Sequence, residues 1–491
     1  MKKSRTTTLL RGIAKCPTGI RGLDEITEGG LPRGRPTLVC GSAGCGKTLL
    51  ASEFIVRGAR EFGENGVFMS FEETEHELSE NVASLGFDIQ ELVRDGKLVI
   101  DNVRVERSEI QETGEYDLEG LFLRLGSMID EVGAKRVVLD SLEALFAGLP
   151  NEAILRAELR RLFTWLKDRK VTAIITGEQG ERTLTRYGLE EYISDCVIFL
   201  DHRVNNQVAT RRLRIVKYRG SRHGTSEFPT LIDETGLSVL PISSTSLTYP
   251  VSDRRVSSGI AALDEMLGKK GYFAGSSVLV SGPPGSGKTS IAVAFADSVC
   301  NSGGRCLYWS SEESPDQIIR NVRSIGYDLD KHRRSGALTF HAVRPTLYGL
   351  ESHLLSLHKL VGAVKPTALV MDPVTNMNAV GSNEQIKSML TRAIDFLKHE
   401  GITTIFTSLD DPMEGKGDDT VSSLMDTWLG LRVVERDGLR RREFFVLKSR
   451  GMSHSHHVHE VILGDRGIHM MNGDRPQRET RLTRVTRGAR T

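Results

Sequence analysis

The sequence contains no apolar run near the roughly 18 residues that a membrane helix needs, so a helical membrane protein is not expected. Cysteine is scarce. The six present (Cys16, Cys40, Cys45, Cys196, Cys300 and Cys306) show no C-x-x-C spacing. That argues against a zinc site or a disulfide framework and fits a reducing cytoplasm. A surplus of either charge is missing too: 65 Lys and Arg face 64 Asp and Glu, leaving a net charge of +1. The body of the chain therefore offers no general attraction for nucleic acid or a membrane surface. The opening stretch "MKKSRTTTLLRGIAK" is basic but lacks the apolar core and cleavage site of a signal peptide. What remains, 491 residues with 39% hydrophobic and 26% charged content, is the composition of a soluble globular protein of about two to four domains.

The chain carries an internal repeat. "GIRGLDEI" (19–26) answers "GIAALDEM" (259–266), and "GSAGCGKT" (41–48) answers "GPPGSGKT" (282–289). "VFMSFEETEHELSENVASLGFD" (67–88) answers "LYWSSEESPDQIIRNVRSIGYD" (307–328), "KRVVLDSLEAL" (135–145) answers "TALVMDPVTNM" (367–377), and "KYRGSRHG" (217–224) answers "KSRGMSHS" (448–455). A tandem duplication follows. The Ser- and Pro-rich segment 240–259 reads as the linker. The expected layout is an N-terminal arm (1–12), two domains (13–245 and 246–474) and a basic tail (475–491). In that tail Arg recurs every third position from Arg475 to Arg490, a period that matches neither a helix nor a strand face. It reads as a solvated, disordered tail, with a grip on an acidic partner or nucleic acid as the alternative.

Within each half, nearly continuous apolar runs ("TLVCG", "GVFMSF", "RVVLDS", "TAIITG", "CVIFLD") alternate with helical patterns. Such runs suit parallel strands buried on both faces. The expected fold is two tandem α/β domains, each a doubly wound, mostly parallel sheet flanked by helices, with the ligand at the carboxyl ends of the strands.

The chemistry sits in the repeated motifs. Both glycine-rich stretches fit G-x-x-x-x-G-K-[ST], in which backbone amides wrap phosphates, Lys47 or Lys288 meets the β/γ-phosphates, and Thr48 or Thr289 ligates Mg²⁺. Glu72–Glu73 and Glu312–Glu313 end the second strand of each half, where a carboxylate can orient water or take a hydroxyl proton. Asp140 and Asp372 end apolar strands, as a Mg²⁺-positioning acid should; Pro373 follows the second where Ser141 follows the first. Lys217/Arg219 and Lys448/Arg450 are spaced i, i+2 on a strand pattern, cations suited to phosphate contacts across a subunit boundary. Ser422 and Ser423 lie in "DDTVSSLMDT", which the first half lacks; they read as phosphate acceptors or as a polar turn. "HSHHVH" (454–459) reads as core or surface histidines on a continuing strand rather than as a metal site.

These motifs, in this order over residues 13–472, closely resemble the KaiC family, circadian-clock ATPases and autokinases of the RecA-like superfamily. The resemblance implies a homohexamer of two stacked rings with ATP at the subunit interfaces. It implies slow hydrolysis in the N-terminal ring through Glu72 and Glu73. In the C-terminal ring it implies reversible γ-phosphate transfer to Ser422/Ser423 of the neighbour, with Glu312 as base and Glu313 on the metal side. ATP contacts carried over are Gly44, Cys45, Gly46, Lys47, Thr48 and Leu49 in the first loop. In the second they are Pro284, Gly285, Ser286, Gly287, Lys288, Thr289 and Ser290. Beyond the loops come Ser84, Lys217, Tyr218, Arg219, Ser221 and His223, then Ser324, Arg442, Lys448, Ser449 and Arg450. The metal set is Thr48, Asp140, Thr289, Glu313 and Asp372, and the implied partner is KaiB-like or a response regulator. Three features depart from the family: Gly417 replaces a third hydroxyl near the acceptors, Ala379 replaces an Arg near the kinase site, and the tail past 472 is short and basic. Two other classes compete with this reading. One is a DNA-dependent ATPase like the recombinases and replicative helicases of the same superfamily; the other is a nucleotide-switched scaffold without kinase activity.

Overall fold

The computed structural model describes residues 12–103, 119–141, 143, 152–180, 183–185, 193–205, 208–241, 252–410, 419–436 and 438–472. The expected N-terminal arm up to residue 11, the basic tail 475–491, much of the linker, and Gly417 and Asp418 lie outside the described residues. The chain forms two compact units, one on either side of residue 244.

Each unit is built on a nine-stranded sheet. In the first, the strands in chain order are β1 (Pro36–Gly41), β2 (Gly66–Ser70), β3 (Leu98–Asn102), β4 (Arg136–Asp140), β5 (Thr172–Glu178), β6 (Cys196–Asn205), β7 (Val208–Tyr218), β8 (Glu227–Asp233) and β9 (Gly236–Val239). Across the sheet they run β3-β2-β4-β5-β1-β6-β7-β8-β9. The first six in that order are parallel, and the last three add antiparallel at one edge. The second unit repeats the order with β10 (Ser277–Ser281), β11 (Cys306–Ser310), β12 (Leu338–Ala342), β13 (Ala368–Asp372), β14 (Thr403–Ser408), β15 (Thr427–Arg436), β16 (Leu439–Ser449), β17 (His459–Gly464) and β18 (Gly467–Asn472). Its sheet reads β12-β11-β13-β14-β10-β15-β16-β17-β18. Each half is thus a doubly wound, mostly parallel α/β domain.

The apolar strand runs are continuous because both faces of each sheet are covered. In the first unit Val39, Phe68, Val138 and Ile174 pack on the face carrying Leu50, Phe54 and Ile55 of helix Lys47–Glu61. Their strand neighbours Leu38, Val67, Val137 and Ile175 pack on the opposite face, against Leu125, Leu159 and Leu162. Alternation along a strand thus feeds two apolar layers. All six cysteines are buried free thiols.

Two local expectations need correction. His454 to Val458 are not in a strand; β17 begins at His459. The polar stretch around the paired serines is no simple turn. Asp419–Leu424 forms a short helix that leads into β15.

Candidate functional site

The P-loops follow β1 and β10 and open directly into helices Lys47–Glu61 and Lys288–Asn301. Gly44 and Gly46 have φ of 72° and 104°, and Gly285 and Gly287 have 76° and 106°. An L side chain would be strained at these four positions, which is why the loop needs glycine where it turns its amides inward. Each loop lysine folds over its own loop. Lys47 Nζ donates to the carbonyls of Gly41 and Ser42 (3.0 and 3.1 Å), and Lys288 Nζ donates to those of Gly282 and Pro283 (2.7 and 2.9 Å). Burial lowers the Lys288 pKa, partly opposed by Asp372, Glu312 and Asp410. The Cys45 thiol is pushed up by burial, which keeps it protonated inside the loop.

In the first unit, β4 delivers Asp140, which accepts a hydrogen bond from Thr176 on β5. Burial raises its carboxyl pKa, partly opposed by Thr176 and by the P-loop Thr48. Ser141 Oγ donates to Glu72 Oε1 at 2.6 Å, and Asn81 Nδ2 donates to Glu73 Oε1 at 3.3 Å. Burial and then Asp140 push the Glu73 carboxyl up, and its Oε2 is buried without a hydrogen-bond partner. Gly44, Gly46, Lys47, Thr48, Leu49, Glu73, Asn81, Val82 and Leu85 enclose a pocket of about 330 Å³, within the size range of ligand sites.

The second unit repeats this frame with different supports. Asp372 accepts from Thr407 on β14 and, at Oδ2, from Tyr308 Oη at 2.8 Å. Glu313 Oε1 accepts from Asn321 Nδ2 at 3.1 Å, the counterpart of the Glu73–Asn81 contact. Pro373 has no hydroxyl to hold Glu312; Asn376 Nδ2 does so instead, at 3.1 Å. A pocket of about 240 Å³ opens beside Ser311, Glu312, Glu313, Gln317 and Arg344.

The K-x-R-G segments are placed elsewhere. Tyr218 pairs with Cys196, which pairs with Thr37 near the start of β1, whereas the P-loop follows Gly41 at its other end. Ser449 likewise pairs with Thr427, opposite Val278 near the start of β10. At about 3.3 Å per residue, the segments lie at least ~13 Å from the P-loop of their own unit. Lys217 and Lys448 are still in strand, while Arg219 and Arg450 stand just beyond the strand ends. Tyr218 Oη donates to the Gly30 carbonyl at 2.8 Å. Ser221 receives Lys15 Nζ at 2.6 Å, and the His223 ring lies 6.3 Å from that of Tyr218. In the second unit Lys448 Nζ donates to the Ser422 carbonyl (3.0 Å), Arg450 donates to the Ser423 carbonyl (2.9 Å), and Ser449 Oγ bonds Thr427 Oγ1 (3.0 Å). Ser422 is buried and Ser423 is exposed. Arg442 reaches its own P-loop, Nε donating to the Gly285 carbonyl at 3.1 Å. Ser84 and Ser324 cap the C-terminal ends of helices Glu75–Ala83 and Pro315–Arg323.

A family model described as the KaiC ATPase matches residues 16–244 and again 256–475. The chain is 54% identical over 463 residues to the circadian clock protein KaiC2 of Synechocystis sp., covering 94% of this chain and 82% of that one. It is 36% identical to KaiC3 of the same organism, over 94% of this chain and 92% of the relative. Against the circadian clock oscillator protein KaiC of Synechococcus elongatus it is 35% identical over 93% of this chain and 89% of the relative. The chain belongs to the KaiC family. Each half of this KaiC-family chain is an ATPase domain of that kind, in keeping with the tandem P-loops. Among the described residues no helix is long and apolar enough to cross a membrane.

The donor set around each P-loop suits a hard divalent cation. Thr48, Asp140 and Glu73, and Thr289, Asp372 and Glu313, offer oxygen atoms, the ligands Mg²⁺ takes. The unpartnered Oε2 of Glu73 gives the first unit a buried acceptor to spare. Several supporting residues were not singled out from the sequence: Asn81, Asn321, Asn376, Thr176, Thr407 and Tyr308. A repeat-on-repeat comparison carries some of the signal, since Asn81 and Asn321 each stand eight residues past Glu73 and Glu313. Also missed were Lys167 and Lys398, which pair with Asp195 (2.6 Å) and Asp426 (2.8 Å). Those aspartates in turn accept, through their carbonyls, from the N–H of Arg219 and Arg450 (both 2.8 Å).

Proposed function

We propose that this chain acts as a homohexamer of two stacked rings, hydrolysing ATP in the first and phosphorylating itself in the second. The observation that carries this reading is the separation within each unit. The K-x-R-G cations, and in the second unit the serine pair tied to them, lie at the opposite end of the P-loop strand from the P-loop itself. Neither group can serve the nucleotide of its own unit, so both act on a nucleotide bound by a neighbouring subunit. Because Lys448 and Arg450 grip the carbonyls of Ser422 and Ser423, placing those cations on a γ-phosphate brings the two hydroxyls with them.

In the second unit the P-loop amides, Lys288 and Ser286 hold ATP. Thr289, Asp372 and Glu313 would hold Mg²⁺, which would supply charge neutralisation for the phosphoryl group being transferred. A serine Oγ from the neighbour forms the new P–O bond, Glu312 takes the hydroxyl proton, and the bond to the ADP oxygen breaks. Ser423, the exposed hydroxyl, is the first acceptor. The first half has no serine pair at this place in its sequence; Glu72 and Glu73 orient water, and Thr48 and Asp140, together with Glu73, would hold the metal. Such a protein reports its nucleotide and phosphorylation state to a KaiB-like or response-regulator partner in clock-like or other signalling. Peptide mass spectrometry after incubation with Mg·ATP tests the reading: phosphate is expected on Ser423 or Ser422 and is absent from a Glu312→Gln chain. An unmodified parent chain that still releases phosphate would leave an ATPase scaffold instead.

A further inference from the structure

The two units treat the aspartate at the end of the fourth strand differently. In the second unit both carboxylate oxygens of Asp372 are engaged, Oδ1 by Thr407 and Oδ2 by Tyr308 Oη at 2.8 Å. Tyr308 is fully buried, with its ring 5.4 Å from that of Phe340. A buried phenol hydroxyl needs a partner, and Asp372 is the acceptor it has. Tyr308 pairs with Val370, two residues before Asp372. The corresponding register in the first unit sets Phe68 beside Val138, two residues before Asp140. Phe68 is equally buried and carries no hydroxyl. The threonine contact is kept in both units (Thr176 and Thr407), so the tyrosine is a donor that one unit has and the other lacks.

We propose that Tyr308 is a positioning residue for the divalent-cation site of the second unit, fixing Asp372 so that this unit holds its cation more tightly than the first. Outer donors of this kind orient ligating or water-holding carboxylates, and losing one typically costs about 10–100-fold in metal affinity. Tyr308 is fully buried and its hydroxyl donates to Asp372, so its effect runs through that carboxylate. The inference rests on the reading that each P-loop binds a metal–nucleotide complex.

The test is Mn²⁺ titration of the full-length chain with ADP, followed by electron paramagnetic resonance. A Lys47→Ala background isolates the second site and a Lys288→Ala background the first. Tyr308→Phe is expected to weaken Mn²⁺ binding at the second site by about 10–100-fold while leaving ADP binding in EDTA unchanged, a split that general damage to the fold would not produce. Phe68→Tyr, made in the other background, is expected to tighten Mn²⁺ at the first site and reads the same idea independently of how well Tyr308→Phe folds. Affinities within twofold of the parent in both variants would overturn the inference. Absence of Mn²⁺ binding at either site of the parent would instead overturn the ATPase reading beneath it.

Discussion

Arg136 opens β4 with its side chain fully buried. Its Nε donates to Glu64 Oε2 at 2.7 Å, one terminal nitrogen to the Phe54 carbonyl and the other to the Pro17 carbonyl, both at 2.8 Å. The guanidinium also lies 4.5 Å from the centre of the Phe54 ring. The second unit has Ala368 at this strand position. An Arg136→Leu substitution removes the side-chain donor to the Phe54 and Pro17 carbonyls and leaves Glu64 with Arg33 as its remaining arginine (2.7 Å). Breaking a buried, hydrogen-bonded ion pair from one side costs about 3–5 kcal/mol. For a unit of this size each kcal/mol moves the melting temperature by about 2–4 °C. The first unit's transition should therefore fall by about 6–20 °C, while the second unit's holds. Differential scanning calorimetry of the full chain, with each transition assigned by its response to a P-loop variant, reads this directly. A first-unit shift below about 1 °C would refute the claim that the buried guanidinium anchors helix and strand.

Two further outcomes follow from the site. Ser141→Ala removes the 2.6 Å hydrogen bond that holds Glu72; a charge-assisted bond of ~1.5 kcal/mol corresponds to about a tenfold fall in phosphate release, measured in a Lys288→Ala background. Asp426 is held below the ordinary carboxylate range: burial pushes it up, but Lys398 and Ser277 outweigh this. A depressed carboxylate stabilises the fold above its unfolded pKa, and that contribution is lost as pH falls through the depressed value. Protection of the amides of residues 419–426, taken relative to their intrinsic exchange rates, should therefore fall on acidification below about pH 4, and Asp426→Asn should abolish that step; protection that does not change with pH would contradict it.

Much of this was legible in the sequence because it depends on local pattern. The buried strands announce themselves as apolar runs, the P-loops as glycines at positive φ, and the carboxylates as residues just past strand ends. The repeat sharpened each of these. Other features depend on register, which a single sequence does not display. The K-x-R-G segment sits opposite the start of the P-loop strand because of how β6 pairs with β7 and β15 with β16, including a bulge at Val197/Ile198 and at Trp428/Leu429. The role of Asn376 follows from the hydroxyl that Pro373 lacks, and becomes visible once the strand ends are in place. The short helix at Asp419–Leu424 was hidden because six residues carry too little periodicity to separate a helix from a turn. The histidine run failed as a strand because alternation of like residues says little about pairing.

The central claim is transfer between subunits, and complementation tests it most directly. A Glu312→Gln chain is mixed with a Ser422→Ala/Ser423→Ala chain, the subunits are allowed to exchange, and each chain is weighed after Mg·ATP. Phosphate on the Glu312→Gln chain, seen in the mixture and not with either chain alone, is the predicted result. Phosphorylation of the parent with none in an exchanged mixture would show transfer within one chain and contradict the account.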